Sequence, residues 1–316
     1  MIVTVTLNAA LDRTLTVPNF QRGHRHRASG VLTLAGGKGI NVARALKQLD
    51  VPVVATGLAG GRTGTRIVEE LTAEAILNDF VRIKEESRTS TAVVDPTGNT
   101  YTEINEWGPR VSPGELEVLL EKLHYLARGA DYVVFAGSLP RAVEEGFYGE
   151  AIRDLHRRGV RVVLDTEGDP LRFGIDAEPE LVSPNQREAE QLVGQEFEDE
   201  EDFSMALDAI SEIGARNVQI TTDTGCFALL REDRNLRRLR AEAPRLEPVS
   251  VVGAGDALLA QYLAARLEGS SVEDSLRLGV AAGAASVLEV GAGRFHPREA
   301  ARLVAAVRVD ELAAVG

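Results

Sequence analysis

Short β-branched apolar runs alternate with amphipathic stretches from one end of the chain to the other. Continuous runs rich in Val, Ile and Leu over 2–7, 53–56, 132–136, 161–165, 180–183 and 217–221 read as strands. Apolar positions at helical spacing mark 39–49, 64–74, 113–127, 143–158, 187–193 and 202–213 as helices, and two more are predicted over 256–268 and 272–288. Strands that alternate with helices predict βαβ units. The expected fold is therefore a Rossmann-like α/β domain with a mostly parallel sheet flanked by helices, its ligands bound beyond the carboxyl ends of the strands.

Two regions, about 13–35 and 87–107, break this rhythm. They alternate as strands do and carry turn signals with no helix between them. In the second, Asp95-Pro96-Thr97-Gly98-Asn99 has turn chemistry. The expectation is one domain over 1–316, with these regions forming a small antiparallel sheet that projects from it as a lid. The acidic run 196–202 reads as a solvated loop leading into a helix.

Composition narrows the function. The 316 residues are 44% apolar and 26% charged, enough for a packed core. With 35 basic and 48 acidic residues the formal charge is −13, which argues against a nucleic-acid partner but leaves room for a small anion in a local basic pocket. One cysteine, Cys226, excludes an intrachain disulfide and a cysteine-cluster metal site. No apolar run reaches the ~20 residues of a membrane span, and the first residues lack a signal-peptide pattern. A cytoplasmic protein without a membrane partner is expected.

Five stretches carry candidate chemistry, each with a plain structural alternative. AGGKGINVAR (35–44) combines close-approach glycines with Lys38 at a helix start, or is a tight turn with an exposed lysine. It is neither of the two common nucleotide loops. GLAGGRTG (57–64) reads as a flexible turn into a helix. GSLP (137–140), with Ser138, follows a buried-looking strand where α/β sheets bind ligands, or is a simple turn. In SPNQRE (183–188), Asn185 and Glu188 have capping-box spacing, or they face phosphates and a hydrated Mg²⁺. In VVGAGDALLAQY (251–262), Gly253, Ala254 and Gly255 free the backbone to present N–H groups to an anion, and Asp256 stands ready to accept a proton. Alternatively Asp256 is only a helix cap.

Together, NAALD (8–12), GGKGIN (36–41), GSLP (137–140), SPN (183–185) and GAGD (253–256) resemble the ribokinase-like carbohydrate kinases, the phosphofructokinase-B family. The motifs fall in the family's order over nearly the whole chain, and the likeness is closest to the branch containing 1-phosphofructokinase and tagatose-6-phosphate kinase. The resemblance implies a ribokinase fold with a β-lid, ATP as donor, Mg²⁺, and a sugar phosphate as acceptor. It makes Asp256 the base, and Gly253, Ala254 and Gly255 the cradle of the migrating phosphoryl group. It places Asp12 and Asn41 on sugar hydroxyls, Gly37 at a close approach, and Lys38 with Arg88 on the phosphate already carried by the sugar. Asn185 and Glu188 match the family's Asn-x-x-Glu near phosphates and metal. One segment departs from the pattern. Where the family's nucleotide strand ends in T/S-x-G-x-x-G-A, this chain reads TTDTGCFA (221–228). Aligned on Ala228, Thr224 and Phe227 take the two glycine positions, so Thr222, Thr224, Gly225 and Phe227 would border the nucleotide.

Three functions follow in order. First comes ATP-dependent phosphorylation of a hexose monophosphate of the fructose 1-phosphate or tagatose 6-phosphate type. Second is a kinase of an unphosphorylated sugar or nucleoside. Third is a non-catalytic sugar-phosphate-binding regulator. Lid strands present open edges, and pairing them across two subunits predicts a homodimer.

Overall fold

The computed structural model describes residues 1–313. Its strands are β1 (Ile2–Thr6), β2 (Ala10–Thr16), β3 (Gly30–Gly36), β4 (Val53–Gly60), β5 (Leu77–Ile83), β6 (Arg88–Asp95) and β7 (Thr100–Asn105). They continue as β8 (Tyr132–Ala136), β9 (Arg161–Asp165), β10 (Leu181–Val182), β11 (Val218–Thr222), β12 (Gly225–Glu232), β13 (Asn235–Glu242) and β14 (Arg308–Glu311). The helices are α1 (Lys38–Gln48), α2 (Gly61–Ala73), α3 (Pro113–Leu126), α4 (Phe147–Arg157) and α5 (Gly168–Ile175). After them come α6 (Gln186–Val193), α7 (Glu200–Ile213), α8 (Ala254–Leu267), α9 (Val272–Ser286) and α10 (Pro297–Leu303).

Ten strands form the main sheet in the order β14-β13-β12-β11-β10-β9-β8-β1-β4-β5. From β5 to β11 every neighbouring pair is parallel, while β11 to β14 run antiparallel. The mostly parallel α/β expectation holds. Strands such as β1 and β8 are buried at every position because both faces are covered. One apolar cluster joins the sheet to α1, α2, α8 and α9, and the other joins it to α3 through α7.

The chain winds from β1 outward through β4 and β5, then returns to β8 on the other side of β1. That reversal opens a crevice at the carboxyl ends of the central strands. There β1 leads to Asn8, β8 to Gly137 and Ser138, β9 ends in Asp165, β10 leads to Asn185, and β11 ends in Thr222.

A second sheet, β3-β2-β6-β7, lies beside this crevice and falls in the two regions that broke the helix–strand rhythm. It is mixed rather than antiparallel. β2 pairs with β3 and β6 with β7 antiparallel, but β2 and β6 run parallel from Ala10↔Arg88 to Thr16↔Val94. The reason is connectivity: α1, β4, α2 and β5 intervene between the two hairpins, and that long crossover brings β6 back in the direction of β2.

Candidate active site

The stretch around Asp256 resolves first. Helix α8 begins at Ala254, and its cap is Gly253 at φ +86°, the left-handed region. Asp256 is therefore not the cap but lies in the first turn, 5% exposed. A Cβ on Gly253 would lie 2.5 Å from the Gly293 backbone nitrogen, so this turn admits only glycine. Among the described residues, the N–H groups of Gly255 and Asp256 meet no protein acceptor. Unpaired N–H groups at the positive end of a helix dipole are an arrangement able to hold an anion.

Asn41, on α1, donates from Nδ2 to Oδ2 of Asp256 at 2.9 Å. Burial, then the neighbouring Asp165 carboxylate, push the Asp256 carboxyl up to about 7, against the opposing pull of Lys38 and the Asn41 bond. Lys38 Nζ donates to Asp165 Oδ1 at 2.7 Å and Glu188 Oε1 at 3.0 Å. Burial alone would lower the Lys38 ammonium's pKa, but Asp165 and Glu188 hold it raised. Glu188 is raised by its own burial.

Asn185 caps α6: its Oδ1 accepts from the Glu188 N–H at 2.9 Å and its own N–H donates to Glu188 Oε2 at 2.9 Å. The capping-box alternative is thus present, while the second oxygen of Glu188 still reaches Lys38. One motif thus caps α6 and places Glu188 against Lys38.

Asp12 lines a cleft between the small sheet and the main body, together with Asn41, Arg44, Ser90, Tyr101 and Glu103. Burial pushes its carboxyl up to about 6 despite the nearby Arg88. A Cβ on Gly36 would sit 1.9 Å from Asp12 Oδ2, so any other residue there would displace the Asp12 carboxylate. Gly37 caps α1 at φ +110°, with Thr6 filling the place of a side chain. Arg88 donates from Nε to the Asn8 carbonyl at 3.1 Å and from Nη1 to Asn105 at 3.3 Å. Ser138 Oγ accepts from Asn8 Nδ2 at 3.1 Å.

Lys38 and Arg88 keep separate hydrogen-bonding partners, the ammonium with Asp165 and Glu188 and the guanidinium with Asn8 and Asn105. A basic side chain flanked by two largely buried carboxylates satisfies them before any remote group. Phe227 does not border the crevice. Its ring is 7% exposed and stacks on Phe203 of α7 at 4.0 Å between centroids and 6° between planes. The position that needs glycine is Gly225, where a Cβ would lie 1.9 Å from the Ala241 carbonyl oxygen. An alignment on Gly225 rather than Ala228 therefore suits the strand, and Phe227 is an ordinary core residue of β12. Thr222 and Thr224 frame the tight β11–β12 turn, their hydroxyls 3.3 Å apart.

Asp165 was absent from the sequence candidates. Its signal was available: an acidic residue closing the buried strand RVVLD (161–165) has to be paired or functional.

Residues 3–299 match the family model described as pfkB family carbohydrate kinase. The chain is 34% identical over 312 residues to the 1-phosphofructokinase of Borreliella burgdorferi, with 99% of each chain covered. It is similar to the crystal structure of phosphofructokinase-2 from Escherichia coli in complex with fructose-6-phosphate. That match has a TM-score of 0.86 at 28% identity and covers 96% of this chain and 98% of the other. Ribokinase of Arabidopsis thaliana, complexed with ribose and ATP, shares the fold at a TM-score of 0.72 and 22% identity, covering 96% and 98%.

Proposed function

The chain belongs to the pfkB family of carbohydrate kinases, and from that premise we propose that it transfers the γ-phosphoryl group of ATP to a hexose monophosphate, giving a bisphosphate. The observation that carries this reading is the pairing of the buried Asp256 carboxylate with the free N–H groups of Gly255 and Asp256 in one helical turn. The name of the Borreliella burgdorferi relative supports a fructose 1-phosphate type of acceptor.

In this reading Asp256 takes the proton from the acceptor hydroxyl as its oxygen attacks phosphorus in line, and the bond to the departing ADP oxygen breaks. No covalent enzyme intermediate is required. The Gly253–Gly255 turn, with the unpaired N–H groups of Gly255 and Asp256, stabilises the charge on the group in transit. Asp12 and Asn41 hold sugar hydroxyls, Gly37 gives the sugar close approach, and Ser138 borders the acceptor side. Arg88 carries the phosphate already on the sugar, for which a planar fork suits. Lys38 sits between Asp165 and Glu188 and so serves the transferred group rather than the resident one.

The residues present fit Mg²⁺. Glu188 and Asp165 supply two hard-oxygen donors side by side around a cation, and Mg²⁺ typically takes one or two carboxylates plus phosphate oxygens and water. Bound there with ATP, it would neutralise charge on the phosphates. Asn185 orients Glu188, while Thr222 and Thr224 border the nucleotide side. A cytoplasmic setting is part of this reading. So is a homodimer through the small sheet, supported by its apolar exposure: Trp107 at 84%, Ile104 at 63% and Val31 at 58%.

Assay of the purified protein with ATP and Mg²⁺ against fructose 1-phosphate, tagatose 6-phosphate and fructose 6-phosphate tests the proposal. Turnover of at least one is expected, and turnover of none rejects it. The pairing of Lys38 with Asp165 and Glu188 keeps an unphosphorylated acceptor as the second reading. Arg88→Ala should raise KM for the sugar phosphate by ten- to a hundredfold, on the order of a charge-assisted bidentate contact. An unchanged KM favours the second reading.

A further inference from the structure

Arg44 is 3% exposed, yet every N–H of its guanidinium has an acceptor. Nε and Nη2 donate to the two oxygens of Glu74 at 2.5 and 2.9 Å, and Nη2 also donates to the Ala35 carbonyl at 2.6 Å. Nη1 donates to the Ala292 carbonyl at 3.0 Å and to Oδ1 of Asn41 at 3.2 Å. A guanidinium has five N–H donors and no acceptor, so this one is fully committed.

We propose that Arg44 is a positioning residue for phosphoryl transfer, fixing the Asn41 amide so that Nδ2 faces the Asp256 carboxylate. The inference rests on the reading of Asp256 as the base. Because Arg44 can only donate, Asn41 must turn its oxygen towards it, which leaves Nδ2 for Asp256 at 2.9 Å. The reversed amide would set N–H against guanidinium and oxygen against carboxylate, two repulsive contacts. Arg44 follows Asn41 by three residues on α1, so the two project from one face of the helix.

The other bonds explain why an arginine is needed. Ala35 precedes the Gly36-Gly37 turn at the start of α1. Ala292 packs behind Gly253, where an added Cβ would lie 2.8 Å from the Ala292 Cα. One side chain therefore ties the sugar-side turn, the backing of the anion cradle and the amide that meets the base. Lysine has the charge but not the planar fork.

The test uses Arg44→Lys, which keeps a cation beside Glu74, and Arg44→Met combined with Glu74→Gln, which replaces the ion pair by uncharged groups. Thermal melting identifies which variants are folded. A folded variant is expected to lose kcat by about tenfold or more, as small misplacements of reacting groups do, while KM for ATP stays within about twofold. The acid limb of its kcat–pH profile should move to higher pH, because Asp256 loses a donor that favours its ionised form. In an Asn41→Ala background the same change should cost nothing further in kcat. A folded variant with wild-type kcat overturns the proposal. So does a kcat loss that persists in full in the Asn41→Ala background. Asp256→Asn is run alongside: full turnover there removes the base reading itself, whereas an inactive Asp256→Asn beside a fully active Arg44→Lys removes only the role of Arg44.

Discussion

Asp256 is under two opposed demands at the scale of a single residue. A proton acceptor works best with a pKa near the operating pH, and burial plus the Asp165 charge push this carboxyl up to about 7. Asp12 is likewise raised, to about 6. Both groups must be ionised in the free enzyme for the proposed roles, so kcat/KM should fall as pH drops through about 7 to 6 and level off above. A pH–rate series checks this, and an acid limb near pH 4 would show that neither shift governs catalysis. The same shifts cost stability in the opposite sense. Across the window from about 4 to 7 the folded chain holds protons that the unfolded chain has released, so stability falls as pH rises. Asp256→Asn should therefore raise Tm at pH 8, with the gain vanishing near pH 4. Calorimetry at the two pH values tests it.

At the scale of elements, the start of α8 is the most constrained point. Gly253→Ala would place a left-handed backbone under a penalty of about 1–2 kcal/mol, and would add a contact 2.5 Å from the Gly293 nitrogen. The expected result is a lowered Tm together with a drop in kcat, since the cradle must shift. An unchanged Tm would refute this packing. α9 presses on the same helix through small residues: Cβ atoms at Gly279 and Gly283 would lie 2.9 and 3.1 Å from the Leu258 and Ala254 carbonyl oxygens.

Strands β1, β4, β8 and β9 were legible in the sequence because burial on both faces makes each a continuous apolar run. β13 was not, since Asn235–Glu242 reads as a charged segment. Its arginines find acidic partners both nearby and far along the chain: Arg237 pairs with Glu232, Glu273 and Glu311, Arg238 with Asp208, Arg240 with Glu200 and Glu242. β5 has an irregular burial pattern, with Leu77 70% exposed. α5 contains Gly168, Pro170 and Gly174, a turn-like composition in only eight residues.

For the whole molecule, the site gathers residues that no local window connects. Asn41 meets Asp256 across 215 positions and Lys38 meets Glu188 across 150. Motif types and order announced most of these groups, but the partners of Lys38 depended on Asp165, which only the assembled sheet brings beside it. The mixed pairing of the small sheet was likewise a matter of long-range crossover. Its outer strand β7 is exposed at all six positions, and a second subunit laid on it would cover the apolar side chains nearby. Ile104→Lys combined with Trp107→Ser should convert a dimer to a monomer in light scattering and raise KM for the sugar phosphate. An unaltered mass would locate any interface elsewhere.

The most direct measurement is single-turnover phosphoryl transfer by wild-type protein and Asp256→Asn, with ATP, Mg²⁺ and the accepted sugar phosphate, alongside calorimetric binding of that sugar phosphate. Loss of the transfer rate by roughly 10²–10⁴-fold, the usual contribution of a positioned base, with sugar-phosphate Kd largely unchanged, is the predicted result. Transfer by Asp256→Asn at close to the wild-type rate would contradict it.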